Sequence, residues 1–172
     1  AINYMNQGRD FFEDDKDLIN DEINLYIKLN RTDDLISKLF SVLETDPENE
    51  SILNVRSAIY YNLGEYEKAK IDYQNILKFN PNSFDANYNL GALFFNKAVE
   101  LNNSANSTSD NNKYKKLKNQ AETYFDKGLP FLESAYQLNT SDKNTLLSLK
   151  QLYYMKGDYK KSDEMKKLIS EL

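Results

Sequence analysis

Two prolines, Pro47 and Pro81, stand 34 residues apart, and the stretch between them is one copy of a recurring pattern. That stretch includes SILNVRSAIYYNLGEYEKAKIDYQNILKFNPNS, residues 51–83, where Tyr60, Gly64, Tyr66, Ala69, Tyr73, Ile76 and Pro81 mark fixed spacings. An internal period constrains a chain more than composition does. Each copy must be one small supersecondary unit that buries its apolar face only by stacking on the next. Counting Glu50 as position 1 divides the chain into 1–15, 16–49, 50–83, 84–142 and 143–172.

Composition then removes function classes. A chain of 172 residues with 40% hydrophobic content can bury a core as one domain, compact or elongated. Three Pro and five Gly leave few breaks, which favours helix. No run approaches the roughly 18 apolar residues of a membrane span, so no transmembrane segment is expected. A net charge of −5 argues against a general nucleic-acid binder, which needs a basic face. Zero Cys and zero His remove thiolate chemistry, the imidazole base and the commonest transition-metal ligands. Carboxylates alone remain for catalysis, and no Asp/Glu pair stands out. No catalytic residue, metal or cofactor is therefore expected. The chain starts at Ala1 rather than Met, so it reads as a processed or trimmed piece.

Tyr60, Gly64, Tyr66, Ala69, Tyr73, Ile76 and Pro81, with the 34-residue period, resemble the tetratricopeptide repeat (TPR) superfamily. The resemblance extends over essentially the whole chain. It implies an all-α fold: a right-handed superhelical solenoid of antiparallel helix pairs, read as a single domain over 1–172. A looser likeness covers NYNLGALFFNKAVELNN, a polar loop, and YKKLK…YFDKGLPFLESAYQLN…GDYKKSDEMKKL. It looks like the C-terminal half of TPR proteins common in Bacteroidota, which implies an exported protein of the periplasm or cell envelope.

Under the family frame, residues 1–15 take the second helix of a truncated repeat, with Ala1, Met5 and Gly8 at its packing positions. In 16–49, Asn30 stands where Gly64 stands and suits a left-handed helix end. Thr32 is expected to cap a second helix that packs through Leu35, Leu39 and Val42. In 50–83, Arg56 occupies a position where the family has Leu. It is read as carrying its charge to water over an apolar stem rather than touching a ligand. The copy 84–142 holds an insertion of 25 residues. Its segment 102–112, NNSANSTSDNN, reads as a flexible loop, with helix resuming at Tyr114. A kink is expected near Pro130, with Gly128 allowing close packing. In 143–172, Lys166 replaces an apolar residue, as suits a terminal helix.

The resemblance places first-helix positions 5, 9, 12 and 13 on a concave face. Position 5 reads Asn20, Asn54, Tyr88 and Leu147, and position 9 reads Asn24, Ala58, Ala92 and Gln151. Position 12 reads Ile27, Tyr61, Phe95 and Tyr154, and position 13 adds Lys28, Asn62, Asn96 and Met155. Asn20, Asn24, Asn54, Tyr61, Tyr88, Phe95, Asn96, Gln151 and Tyr154 are therefore the expected partner contacts. Rings would supply buried area, and amides would pair with a peptide backbone. Tyr26, Tyr60, Phe94 and Tyr153, one position earlier, are assigned to the core. No basic residue falls at positions 2, 5 or 6, against a clamp for chaperone-tail carboxylates. Lys113, Lys115, Lys116 and Lys118 alternate around a helix and read as a solvated face. Glu13, Asp14, Asp15 and Asp17 lack the Gly and closing Glu of a calcium loop and read as a turn.

The expected function is a non-catalytic scaffold that binds a peptide or partner protein in the concave groove. The alternative is a self-associating module, a homo-oligomer joined through the long hairpin 84–138.

Overall fold

The computed structural model describes residues 16–172, with side chains from Asp21 onward except Glu22. The expected helix within 1–15 and the side chains of the acidic run lie outside the described residues. Among the described residues there are eight α-helices and no strand. They are α1 (Lys16–Lys28), α2 (Thr32–Thr45), α3 (Glu50–Asn62), α4 (Tyr66–Phe79), α5 (Phe84–Asn106), α6 (Asn111–Leu138), α7 (Lys143–Met155) and α8 (Tyr159–Ser170). The chain divides into two compact units, 1–79 and 80–172.

Three of the turns share one backbone device. Asn30, Gly64 and Gly157 have φ of 54°, 76° and 78°, the left-handed region that ends a helix cheaply only for Gly or Asn. Gly64 N–H donates to the Tyr61 carbonyl at 3.0 Å, and Glu65 N–H to the Tyr60 carbonyl at 2.8 Å. The same pair of bonds recurs from Asn30 and Arg31 to Ile27 and Tyr26, and from Gly157 and Asp158 to Tyr154 and Tyr153. Helix starts are fixed by side chains. Asn49, Ser83, Asp110, Asp142 and Asp158 each accept a hydrogen bond from the first turn of the helix that follows. Thr32 does not cap α2. It is the first helical residue, and Arg31 before it makes no side-chain cap.

In the first unit, Ile23 and Tyr26 of α1 pack with Leu35 and Leu39 of α2 and with Val55 and Ile59 of α3. The third buried contact of α2 is Leu43, and Val42 is exposed, so the expected register is corrected by one residue. Leu35 stands where the other pairs have a smaller residue, and a larger side chain there rotates the apolar stripe.

In the second unit, α5 and α6 form a hairpin longer than either neighbouring pair. A Cβ at Gly91 would lie 2.7 Å from Leu132 Cγ, and one at Gly128 would lie 3.0 Å from the Gly91 carbonyl oxygen. The two backbones therefore touch. Above and below this seam, Phe95, Ala98, Ala121, Phe125 and Leu132 are buried with Leu146, Leu149, Leu152, Tyr153 and Met165 of α7 and α8. α6 runs through Pro130 as one helix.

The expected loop at 102–112 is largely helix. α5 continues to Asn106, the connection is Ser107–Asp110, and α6 starts at Asn111. Polar composition misleads here because the segment has a partner. Ala105 is fully buried, and Asn102 Oδ1 accepts from Lys118 Nζ at 2.6 Å. Asp110 then accepts from the N–H groups of Asn112 and Lys113, which starts α6 three residues before Tyr114.

Gly91→Val is expected to force the α5–α6 seam apart and to cost about 3 kcal/mol, the upper end for overpacking. The measurement is urea unfolding followed by helical circular dichroism, with a lowered midpoint as the outcome.

Candidate partner-binding surface

Leu147, Gln151 and Tyr154 lie at i, i+4 and i+7 on α7, so they share one face of the helix. That face is not covered. Leu147 is 39% exposed and Tyr154 61%, whereas Leu146, Leu149 and Leu152 on the opposite side are buried. The exposed stripe forms the floor of an open concavity of about 470 Å³, with Ser148 and Lys150 on the same helix. Phe95 of α5 and Ser162 of α8 complete its walls. The Ser162 hydroxyl is already used, donating to the Lys150 carbonyl at 2.9 Å.

Phe95, Gln151 and Tyr154 are thus brought together, but Phe95 is corrected from a free contact to a core residue. It is 8% exposed, and its ring packs 5.8 Å from Phe125. The cause is the long α6, which lays Phe125 along α5. Tyr88 is half-buried, stacked on Phe84 at 6.2 Å and packed on the same core. Asn96 is exposed on α5. In the first unit, Asn24 is exposed on α1, and Asn54 is half-buried, its buried Oδ1 without a hydrogen-bond partner among the described residues. The side chain of Asn20 lies outside the described residues.

Tyr61 is 38% exposed and meets Tyr66 edge-on at 5.4 Å. Tyr154 meets Tyr159 in the same way at 5.5 Å. Both pairs straddle a left-handed glycine turn. Each ring therefore leans toward the turn as well as over the helix face.

Arg56 neither carries its charge to water nor waits for a ligand. It donates through Nε and Nη2 to both oxygens of Asp72 at 2.9 and 2.7 Å, linking α3 to α4. Asp72 is 2% exposed. The hydrogen bond to Asp72 raises the Arg56 pKa, with burial opposing. Phe40 and Tyr60 lie at 5.9 and 6.0 Å from the guanidinium carbon, which accounts for the half-burial of Tyr60. The sequence carried a signal for this pair: Asp72 interrupts the apolar stripe Ala69, Tyr73, Ile76.

Under the concavity, the Tyr153 hydroxyl donates to Glu133 at 2.7 Å, and Lys161 Nζ sits 4.9 Å from the ring centroid. Burial, then the bond to Glu133, raises the Tyr153 pKa above the ordinary phenol value of 10.0. Among the described residues no cluster of His, Cys, Asp and Glu could hold a metal ion, and no helix is long and apolar enough to cross a membrane. Lys113, Lys115 and Lys116 are exposed on the first turns of α6.

Arg56→Met is expected to leave Asp72 as a lone buried charge and to cost about 3–5 kcal/mol in chemical denaturation. Arg56→Met/Asp72→Leu is expected to recover most of that loss. For Tyr153, the folded pKa lies above the unfolded one, so its contribution is complete below about pH 10 and is lost as pH rises further. Tyr153→Phe should therefore decline less steeply than wild type in melting temperature between about pH 9 and 11.

A family model described as a TPR repeat matches residues 58–98, from α3 through α4 into α5. No curated protein matches the chain. An IFIT1 monomeric mutant solved with Gppp-AAAA superposes at TM-score 0.72 and 12% identity, over 96% of this chain and 35% of that one. The chain spans only about a third of that protein's structure (35%). MamA superposes at TM-score 0.64 and 15% identity, over 99% of this chain and 80% of MamA. A tetratricopeptide repeat protein from Parabacteroides merdae superposes at TM-score 0.57 and 22% identity, over 99% of this chain and 59% of that chain. At these identities the likeness is one of fold, and the capped oligonucleotide of IFIT1 is a property of that protein.

Proposed function

We propose that this tetratricopeptide-repeat chain is a non-catalytic interaction scaffold that takes a peptide or partner protein on the faces of its first helices. Its helix pairs are read as the repeats 16–49, 50–83, 84–142 and 143–172 of one TPR domain. A fold of this kind suggests protein partners. The supporting observation specific to this chain is the face of α7. Leu147 and Tyr154 stay exposed side by side with the Gln151 amide, over a concavity of about 470 Å³. An exposed apolar stripe with an adjacent amide suits recognition of a polypeptide, since rings and aliphatic groups bury area while the amide pairs with backbone.

The contacts proposed are Gln151 and Tyr154 in the second unit, with Asn96 and the accessible edge of Tyr88 on α5. In the first unit, Asn24 and Tyr61 are the exposed candidates. The hairpin 84–138 gives less support to self-association. Its apolar residues Ala98, Ala105, Ala121, Phe125 and Leu132 are buried within the unit, leaving a mostly polar exterior.

The test is affinity capture with wild type beside a Leu147→Glu/Tyr154→Glu variant, both shown to be helical by circular dichroism. A partner held by wild type is expected to be lost by the variant. Equal capture by both would remove α7 as the binding face. Phe95 is left unaltered because its burial would confound binding with folding.

A further inference from the structure

We infer that the concavity over α7 selects a peptide carrying an acidic side chain beside a bulky apolar one, with Lys150 as its charge contact. The inference deepens the scaffold reading and rests on it.

Among the described residues, Lys150 is the only charged one lining the concavity. It is half-buried, whereas the other lysines of α7 and α8 are exposed. Lys156 pairs with Asp126, Lys161 lies 3.7 Å from Glu133, and Lys167 lies 3.9 Å from Glu171. Lys150 lines the concavity and has no carboxylate within ion-pair distance among the described residues, so the charge this residue brings to the wall is unmatched. Its position explains how it comes to be there. Ser57 and Gly91 hold the equivalent place in the two preceding pairs. Ser57 is fully buried, and a Cβ at Gly91 would already touch Leu132. No Lys stem fits such a seam. At Lys150 the carbonyl instead accepts from the Ser162 hydroxyl, and the residue lines the concavity wall.

The lining then discriminates between ligands. A cationic peptide would set like charges together. A wholly apolar one would take water from the ammonium and return no partner. One ammonium does little for a polyanion, whose binding needs many phosphate contacts. A carboxylate beside an apolar side chain satisfies both halves of the site, the lysine charge and the exposed surface of Leu147 and Tyr154. Ser148 and Gln151 remain for the peptide backbone. The chain's net charge of −5 supplies no long-range pull on such a ligand. Attraction therefore depends on Lys150 at close range, inside a screening length of about 8 Å.

The experiment uses the whole chain against two displayed libraries of random peptides, about twelve residues long, chosen to exceed the roughly 5–6 residues of a typical strand. One library has both ends blocked, and the other has a free C-terminus. Enrichment of Asp or Glu next to Leu, Ile, Met, Phe or Trp in the blocked library is the expected result. An enriched peptide should bind Lys150→Glu about tenfold more weakly by fluorescence anisotropy. Replacing its acidic residue by Lys should restore binding to that variant. Lys150→Gln serves if Lys150→Glu loses helicity. Enrichment without acidic residues, or unchanged binding by both Lys150 variants, would overturn the inference and leave the scaffold reading standing. Enrichment confined to the free-C-terminus library would reassign the site to a terminal carboxylate and overturn it likewise. No peptide enriched on wild type over Leu147→Glu/Tyr154→Glu would overturn the inference, and the affinity capture above then decides the scaffold reading separately.

Discussion

The contact of α5 with α6 at Gly91 and Gly128 sets the geometry of the second unit. Two helices separated only by the space of missing side chains bring their flanking residues into register, so Leu132 fills the step beside Gly91. That register lays Phe125 against Phe95 and leaves α7 to close the core through Leu146, Leu149 and Leu152. Among the described residues no helix covers the opposite face of α7. The exposed stripe is therefore a consequence of the seam, and a change in the seam would be felt at the concavity through Phe95.

The first unit is held by a different device. Arg56 and Asp72 replace part of an apolar contact with a two-bond ion pair between α3 and α4. Buried pairs of this kind contribute little net stability against an apolar alternative, because both charges must leave water. What they do is penalise every register in which one partner is left alone. The aromatic rings of Phe40 and Tyr60 near the guanidinium add to that selectivity by bringing α2 into the same arrangement. Thus the short helices of the first unit are aligned by directional contacts, and the long ones of the second by close packing.

Local chemistry made the fold class legible in the sequence. Asn30, Gly64 and Gly157 mark left-handed turns because a residue type is tied there to a backbone angle, and Gly91 and Gly128 mark a close approach by lacking a side chain. What was not legible depended on tertiary partners. The tract NNSANSTSDNN has the composition of a loop, yet Ala105 is buried, Asn102 bonds Lys118 of α6, and most of the tract is helical. Thr32 had the chemistry of a cap but not the position. For the candidate surface, the family frame put Gln151 and Tyr154 among the expected contacts and Leu147 only at a concave-face position, and helical spacing sets all three on one face of α7. The burial of Phe95 did not, because nothing local to Phe95 reports that Phe125 lies some 30 residues away in an extended helix. Arg56 was misread for the same reason, its partner being 16 residues distant.

Equivalent positions in the helix pairs make the last point. Where Ser57 and Gly91 stand the seam holds a small residue, whereas the first pair has Ile23 there, buried in its core, and the last has Lys150, in the pair whose first helix has an open face. A long side chain at a tight seam is tolerated only if the stem finds room elsewhere and the charge finds water or a partner. Here Lys150 lines the concavity, while its carbonyl accepts from the Ser162 hydroxyl. Lys150 makes no ion pair among the described residues, so packing alone does not account for a charged residue beside Leu147 and Tyr154. A surface that must recognise both charge and apolar area does.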